Sequence, residues 1–228
     1  MNNNLKESTY SNNNDNSYIT IKIIILLIIL QGVRIIGKQI SFAFITKNSL
    51  NEILISMGIM IILTIYIIYK GKRENISLNI FSFMKTRESK IYYLLVTLAL
   101  LLLIVTSPLL QREVSIYTLI PLVYGIIIIP IYEEILFRSY IWGVLQKEHE
   151  SEFKVYLLTT VYFALWQVGY IDTIIMRQGF NHIIFITFIR CLLMLSYGLF
   201  IGFFRYKIKN TYSSILIHGF INIFRRII

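Results

Sequence analysis

Apolar residues run along this chain in seven blocks, separated by short polar or charged segments. The blocks are 18–36 (YITIKIIILLIILQGVRII), 53–69, 91–110, 115–131, 155–170, 181–204 and 212–224. Most match the roughly 20 apolar residues that carry a helix across the hydrocarbon core of a bilayer. The fourth is broken near Pro130, and its helix is expected to run on to about Gln146. The seventh is short, a half-span or a re-entrant helix. Isoleucine dominates, and in water it favours strands. In lipid the backbone must satisfy its own hydrogen bonds, and blocks this long do so as helices. The short alternating segments of a β-barrel are absent. The expected fold class is all-α: a polytopic transmembrane bundle of about seven membrane helices. Lys22 and Arg34, near the ends of the first block, are expected to snorkel to the interface.

Residues 1–17 (MNNNLKESTYSNNNDNS) are polar and Asn-rich, and are expected to be disordered. They lack the basic start and small-residue cleavage site of a signal peptide, so the first block is expected to remain as an anchor. Residues 18–228 are then one transmembrane domain.

Charge sharpens the membrane reading. Only 15% of residues are charged, low for a soluble domain, and the net charge is +10. The bases cluster between apolar blocks, most densely at 70–90 with Lys70, Lys72, Arg73, Lys85, Arg87 and Lys90. That pattern sets orientation in a membrane rather than binding nucleic acid. The positive-inside rule places 70–90, 146–154, 205–210 and the N-terminus in the cytoplasm. Membrane lipid is thus an expected partner. The Ile-, Asn- and Lys-rich composition suggests an AT-rich bacterial genome, hence a bacterial plasma membrane. The single cysteine, Cys191, allows no intramolecular disulfide and reads as a small buried apolar residue.

The candidate chemistry lies in polar residues inside apolar blocks. Of the 12 acidic residues, Glu133 and Glu134 alone follow directly from one apolar run and lead into another. An ionisable group at membrane depth costs roughly 2.5–3.5 kcal/mol on insertion scales, so it stays only if paired or functional. Glu134 and Arg138 are four residues apart and stack on one helix face as a charge pair. Glu133 points about 100° away and has no local cation. An unpaired carboxylate in an apolar site suits general-base work. Later, His218 and Asn222 share one face of an apolar helix (HGFIN), and Phe163 and Gln167 share a face of another (FALWQ). Arg190 interrupts the sixth block and needs a partner, with Glu133 or Glu134 as candidates. His149 and His182 read as interfacial.

In this order the motifs resemble the CPBP family, the CAAX proteases and bacteriocin-processing enzymes also called Abi. These are polytopic intramembrane proteases with the pattern EExxxR, FxxxH, HxxxN on successive helices. The first and third motifs are complete here, as Glu133-Glu134-Ile-Leu-Phe-Arg138 and His218-Gly-Phe-Ile-Asn222. The resemblance covers about 115–224. It implies that Glu133 activates a water against a peptide carbonyl, that Glu134 and Arg138 brace it, and that His218 and Asn222 bind a metal or stabilise the oxyanion. In the metal-dependent version the cofactor is Zn2+, with His218 as a ligand. The second motif departs from the pattern: Phe163 is present, but Gln167 stands where the family has His. Zinc prefers His, Cys and carboxylates. An amide can still donate to an oxyanion, so Gln167 harms a zinc mechanism more than a glutamate-driven one. Two functions follow. One is an intramembrane endopeptidase acting on a peptide or membrane-protein substrate. The other is a catalytically impaired homologue in bacteriocin self-immunity or membrane peptide binding. A transporter or proton relay finds no inverted repeat and no Gly/Pro-broken helix pair to support it.

Overall fold

The computed structural model describes residues 3–81, 87–110 and 114–227, with side chains described from residue 17 except at 110, 177–178 and 225–227. Seven helices follow one another: α1 (Asn3–Phe44), α2 (Ser49–Arg73), α3 (Arg87–Leu110), α4 (Ile116–Glu148), α5 (152–178), α6 (Ile183–Ile208) and α7 (Thr211–Ile227). The all-α expectation holds. α1 starts at Asn3 and passes through the polar N-terminal stretch, and its apolar, membrane-length part is Ser17–Phe44.

The expected count of about seven membrane helices is corrected. Among the described residues five helices are long and apolar enough to cross a membrane: Ser17–Phe44, Ser49–Arg73, Arg87–Leu109, Ile116–Glu148 and Ile183–Ile208. In α5 regular α-helix ends at Trp166 after 15 residues. That is about 22 Å, short of a ~30 Å hydrocarbon core. It then tightens into a 3₁₀ turn (Gln167–Tyr170) before a short helix, Ile171–Gln178. α7 has 17 residues and buries the polar Ser213, Ser214 and His218.

Hydrogen bonds fix the antiparallel order of the helices. At one end Glu74, just after α2, gathers its neighbours. It pairs with Lys70 at 2.7 Å, accepts the Tyr140 hydroxyl at 2.6 Å, and its backbone carbonyl accepts from Lys147 at 3.0 Å. Burial acts to raise the Glu74 carboxyl, but hydrogen bonds from Lys70 and Tyr140 outweigh it and hold the group below the ordinary carboxylate range. At the same end Asn210 donates to Tyr93 at 2.8 Å, and Lys209 pairs with Glu152.

The opposite end is held by buried ions. Arg34 and Lys38 of α1 both pair with Asp172 of α5, Arg34 at 2.8 Å, and Lys38 lies 3.5 Å from Glu52 of α2. Arg34 is 1% exposed, so it does not snorkel as expected. The broken helix α5 is the cause. Its 3₁₀ turn leaves carbonyls without helical partners, and at membrane depth no water can satisfy them. Gln31 donates to the Trp166 carbonyl at 3.0 Å, and Arg34 donates to that of Gly169. Glu52 and Asp172 also correct the acid census, since both are drawn into this cluster. Lys22 is the partial exception at the other end: its side chain is 47% exposed, 3.7 Å from Glu74.

α5 and α6 approach closely because α6 carries Gly198 and Gly202, the small-xxx-small spacing of packed membrane helices. A Cβ at Gly198 would lie 2.8 Å from the Phe163 ring, and one at Gly202 would lie 2.9 Å from Tyr156. Phe163 is fully buried and has no room to retreat. Gly198→Ala is expected to destabilise the protein by about 1–3 kcal/mol, read as a lower melting temperature in detergent.

Candidate active site

α4 departs from regular helix on both sides of the carboxylates. It is π-helical at Tyr124–Ile128 and Ile135–Ile141, with α-helical Ile129–Glu134 between. Pro130 has no N–H to give to the preceding turn. Such π-segments shift the side-chain register and often mark functional sites. Here they flank Glu133 and Glu134, which end the α-helical segment fully inside the bundle.

Glu134 is a paired carboxylate. Its Oε2 lies 3.3 Å from Arg138 Nε, and its Oε1 lies 2.8 Å from His218 Nδ1 on α7. Arg138 also donates from Nη2 to the Gly198 carbonyl at 3.1 Å and sits 4.5 Å over the Phe163 ring. The i,i+4 pair read from sequence is therefore present, and α7 adds His218 to it. Phe163 stacks beneath the guanidinium and edge-on to Phe137.

Glu133 faces elsewhere. Its Oε1 accepts the Tyr170 hydroxyl at 3.0 Å, and no ion pair to it occurs among the described residues. Tyr170 closes the 3₁₀ turn that begins at Gln167, so the break in α5 aims its ring at Glu133. Sequence reading missed Tyr170. Only its place one turn beyond Gln167 marked it.

Gln167 accepts from Arg190 Nε at 3.1 Å, and the Arg190 guanidinium lies 4.9 Å from the Tyr170 ring centre. Arg190 interacts electrostatically with Glu133, as expected for one of its two candidates, but beyond ion-pair distance, and its hydrogen-bond partner is Gln167. Asn222 is committed to bracing. Its Nδ2 donates to the Gly125 carbonyl at 2.7 Å, and its Oδ1 accepts the Tyr197 hydroxyl at 3.1 Å. Tyr197, also missed, packs edge-on against His218 at 5.1 Å. His182 is exposed at the start of α6 and His149 follows α4, and neither lines the cavity that opens at Ser49 and Pro121.

A polar cavity of about 340 Å³ leads inward from the end of the bundle at Ser49 and Pro121. Its walls include Glu52, Tyr170, Thr173, Arg190 and Asn222. Glu133 lies behind the Tyr170 hydroxyl.

The donor set does not fit zinc. A zinc site takes at least three His, Cys or carboxylate ligands. Among the described residues no three such groups are placed to hold one ion. His218 Nδ1 faces Glu134, and position 167 offers an amide whose oxygen already accepts from Arg190.

Residues 115–224, from the N-cap of α4 to within α7, match the family described as type II CAAX prenyl endopeptidase Rce1-like. No curated protein and no solved structure matches the chain.

Proposed function

Residues 115–224 belong to the Rce1-like type II CAAX prenyl endopeptidase family, and from this premise we propose that the chain is an intramembrane endopeptidase in which Glu133 is the general base. One observation carries the reading. Of two adjacent buried carboxylates, Glu134 is tied to Arg138 and His218, whereas Glu133 makes no ion pair among the described residues and accepts from the neutral Tyr170 hydroxyl.

Glu133 takes a proton from a water as the water oxygen adds to a peptide carbonyl. The carbonyl oxygen becomes an oxyanion. The proton then passes to the amide nitrogen, the C–N bond breaks as the oxyanion reforms the carbonyl, and the new carboxylic acid gives its remaining proton to the amine, so a carboxylate and an ammonium leave. Tyr170 fixes the Glu133 carboxylate by donating to one oxygen, leaving the other to hold water. Glu134 neutralises Arg138 and orients His218, so the site keeps its shape without adding charge beside the base. The substrate is a peptide segment at the membrane, with prenylated CAAX peptides as the class the family's description names. The basic end of the bundle, with Lys70, Lys72, Arg73, Lys147 and Lys209, faces the cytoplasm. The Ile-, Asn- and Lys-rich composition supports a bacterial plasma membrane as its site.

The rival function, a homologue that has lost cleavage and binds peptide in self-immunity, draws on Gln167. Assays of the purified protein on a quenched-fluorescent farnesylated CAAX peptide, and on its unprenylated counterpart, separate the two. The parent is expected to cleave, and Gln167→His is expected to change its rate less than tenfold. A silent parent with activity gained only in Gln167→His would establish the rival instead.

A further inference from the structure

The geometry points to Arg190 as a further group that stabilises the oxyanion, beside the third-motif residues, with Gln167 as the residue that holds it in place. This rests on the endopeptidase reading, since an oxyanion forms only if Glu133 delivers water to a carbonyl.

Arg190 sits within α6, a membrane-length helix, and is half-buried. A cation at that depth requires a counter-charge or a water-filled cavity. Its described partners are an amide oxygen, Gln167 Oε1 at 3.1 Å, and the face of Tyr170 at 4.9 Å. Neither carries a charge, and the carboxylate that acts on it, Glu133, lies beyond ion-pair distance. Gln167 engages Nε alone, which leaves the terminal nitrogens of the guanidinium to other acceptors. Arg190 lines the cavity where Gln167 does not, and among the described lining residues it is the cation.

Its relation to the base is fixed by one ring. Tyr170 gives its hydroxyl to Glu133 at 3.0 Å and its face to Arg190. General base and cation therefore flank the same tyrosine. A line from carboxylate through water and carbonyl carbon to an oxyanion and its donor spans roughly 8 Å at ordinary hydrogen-bond lengths. A base and a donor one ring apart suit that span. Asn222 is a poorer donor, because its amide already braces Gly125 and Tyr197. The Gln at position 167 thus gains a role of its own: an amide oxygen can hold a guanidinium there.

The test uses the full-length protein in bicelles and two readouts. The first is cleavage of the farnesylated CAAX peptide. Arg190→Gln is expected to lower kcat about 100-fold or more, the usual loss of one oxyanion donor, with KM little changed. Arg190→Lys should recover part of it, and Gln167→Ala should lower kcat about tenfold. The second is binding of the same peptide with a phosphonate in place of the scissile amide, a tetrahedral anion. The parent protein should bind it at least tenfold more tightly than the uncleaved peptide, and Arg190→Gln should erase that preference while still binding the uncleaved peptide. Equal losses for both ligands, or no phosphonate preference in the parent, would overturn the assignment. A phosphonate preference that depends on Arg190, in a protein that does not cleave, would retain the anion site and defeat the endopeptidase reading alone.

Discussion

Replacing Glu133 with Gln is expected to reduce peptide cleavage by about 10³-fold or more while leaving the melting temperature nearly unchanged. The amide has the same shape, and its carbonyl oxygen can still accept the Tyr170 hydroxyl at the observed 3.0 Å. What it lacks is the ability to take a proton. General-base catalysis contributes about 10²–10⁴-fold, and because Glu134 and His218 are engaged with each other the upper part of that range applies. Glu133 makes no ion pair among the described residues, so removing its charge breaks no salt bridge. A neutral amide is also less costly to bury than a carboxylate, which favours the variant's stability if anything. Rate and stability should therefore separate at this position. Cleavage within tenfold of the parent would remove Glu133 from the role of base. A large fall in melting temperature would make it a structural residue instead.

The sequence made the division of labour between Glu133 and Glu134 readable because both ends of the argument lie on one helix. The i,i+4 relation from Glu134 to Arg138 is a property of helical geometry, and it persists although the chain becomes π-helical from Ile135. The motif pattern on α4, α5 and α7 likewise pointed to residues that the bundle brings close: Glu134 reaches His218, and Phe163 supports Arg138. What stayed hidden depends on contacts between helices. Arg190 was legible as a misplaced cation, but its pairing with Gln167 depends on how α5 and α6 are rotated against each other. Tyr170 was hidden because it is aimed by a 3₁₀ turn, and nothing in an Ile- and Tyr-rich block marks where α-helix gives way to it. Arg34 was misread for a related reason. A basic residue near the expected end of an apolar block looks like a snorkelling residue. Here the helix runs on to Phe44, and the broken α5 opposite needs Arg34 as a donor. The count of membrane helices failed at the same break, since hydropathy alone does not register that α5 is interrupted.

Arg138→Met is expected to be among the most destabilising single changes in the chain, by about 3–5 kcal/mol, because it leaves a buried carboxylate without its cation. Methionine keeps much of the length and apolar volume, so the loss isolates the charge and its bonds rather than a cavity. Three contacts go together: the ion pair to Glu134, the hydrogen bond to the Gly198 carbonyl at 3.1 Å, and the stacking over Phe163. Both members of the pair are fully buried, so water cannot screen the remaining charge. His218 is the group left to answer it, and drawing the imidazole further onto Glu134 would disturb the third motif as well. The double variant Glu134→Gln/Arg138→Met removes the stranded charge. It should therefore be more stable than Arg138→Met alone, with a coupling of about 1–3 kcal/mol. Thermal unfolding of the parent, the two single variants and the double variant in one detergent closes the cycle. Additive losses would mean that Glu134 and Arg138 are neighbours without being partners, and Glu134 would then regain a claim to be a second free carboxylate beside Glu133.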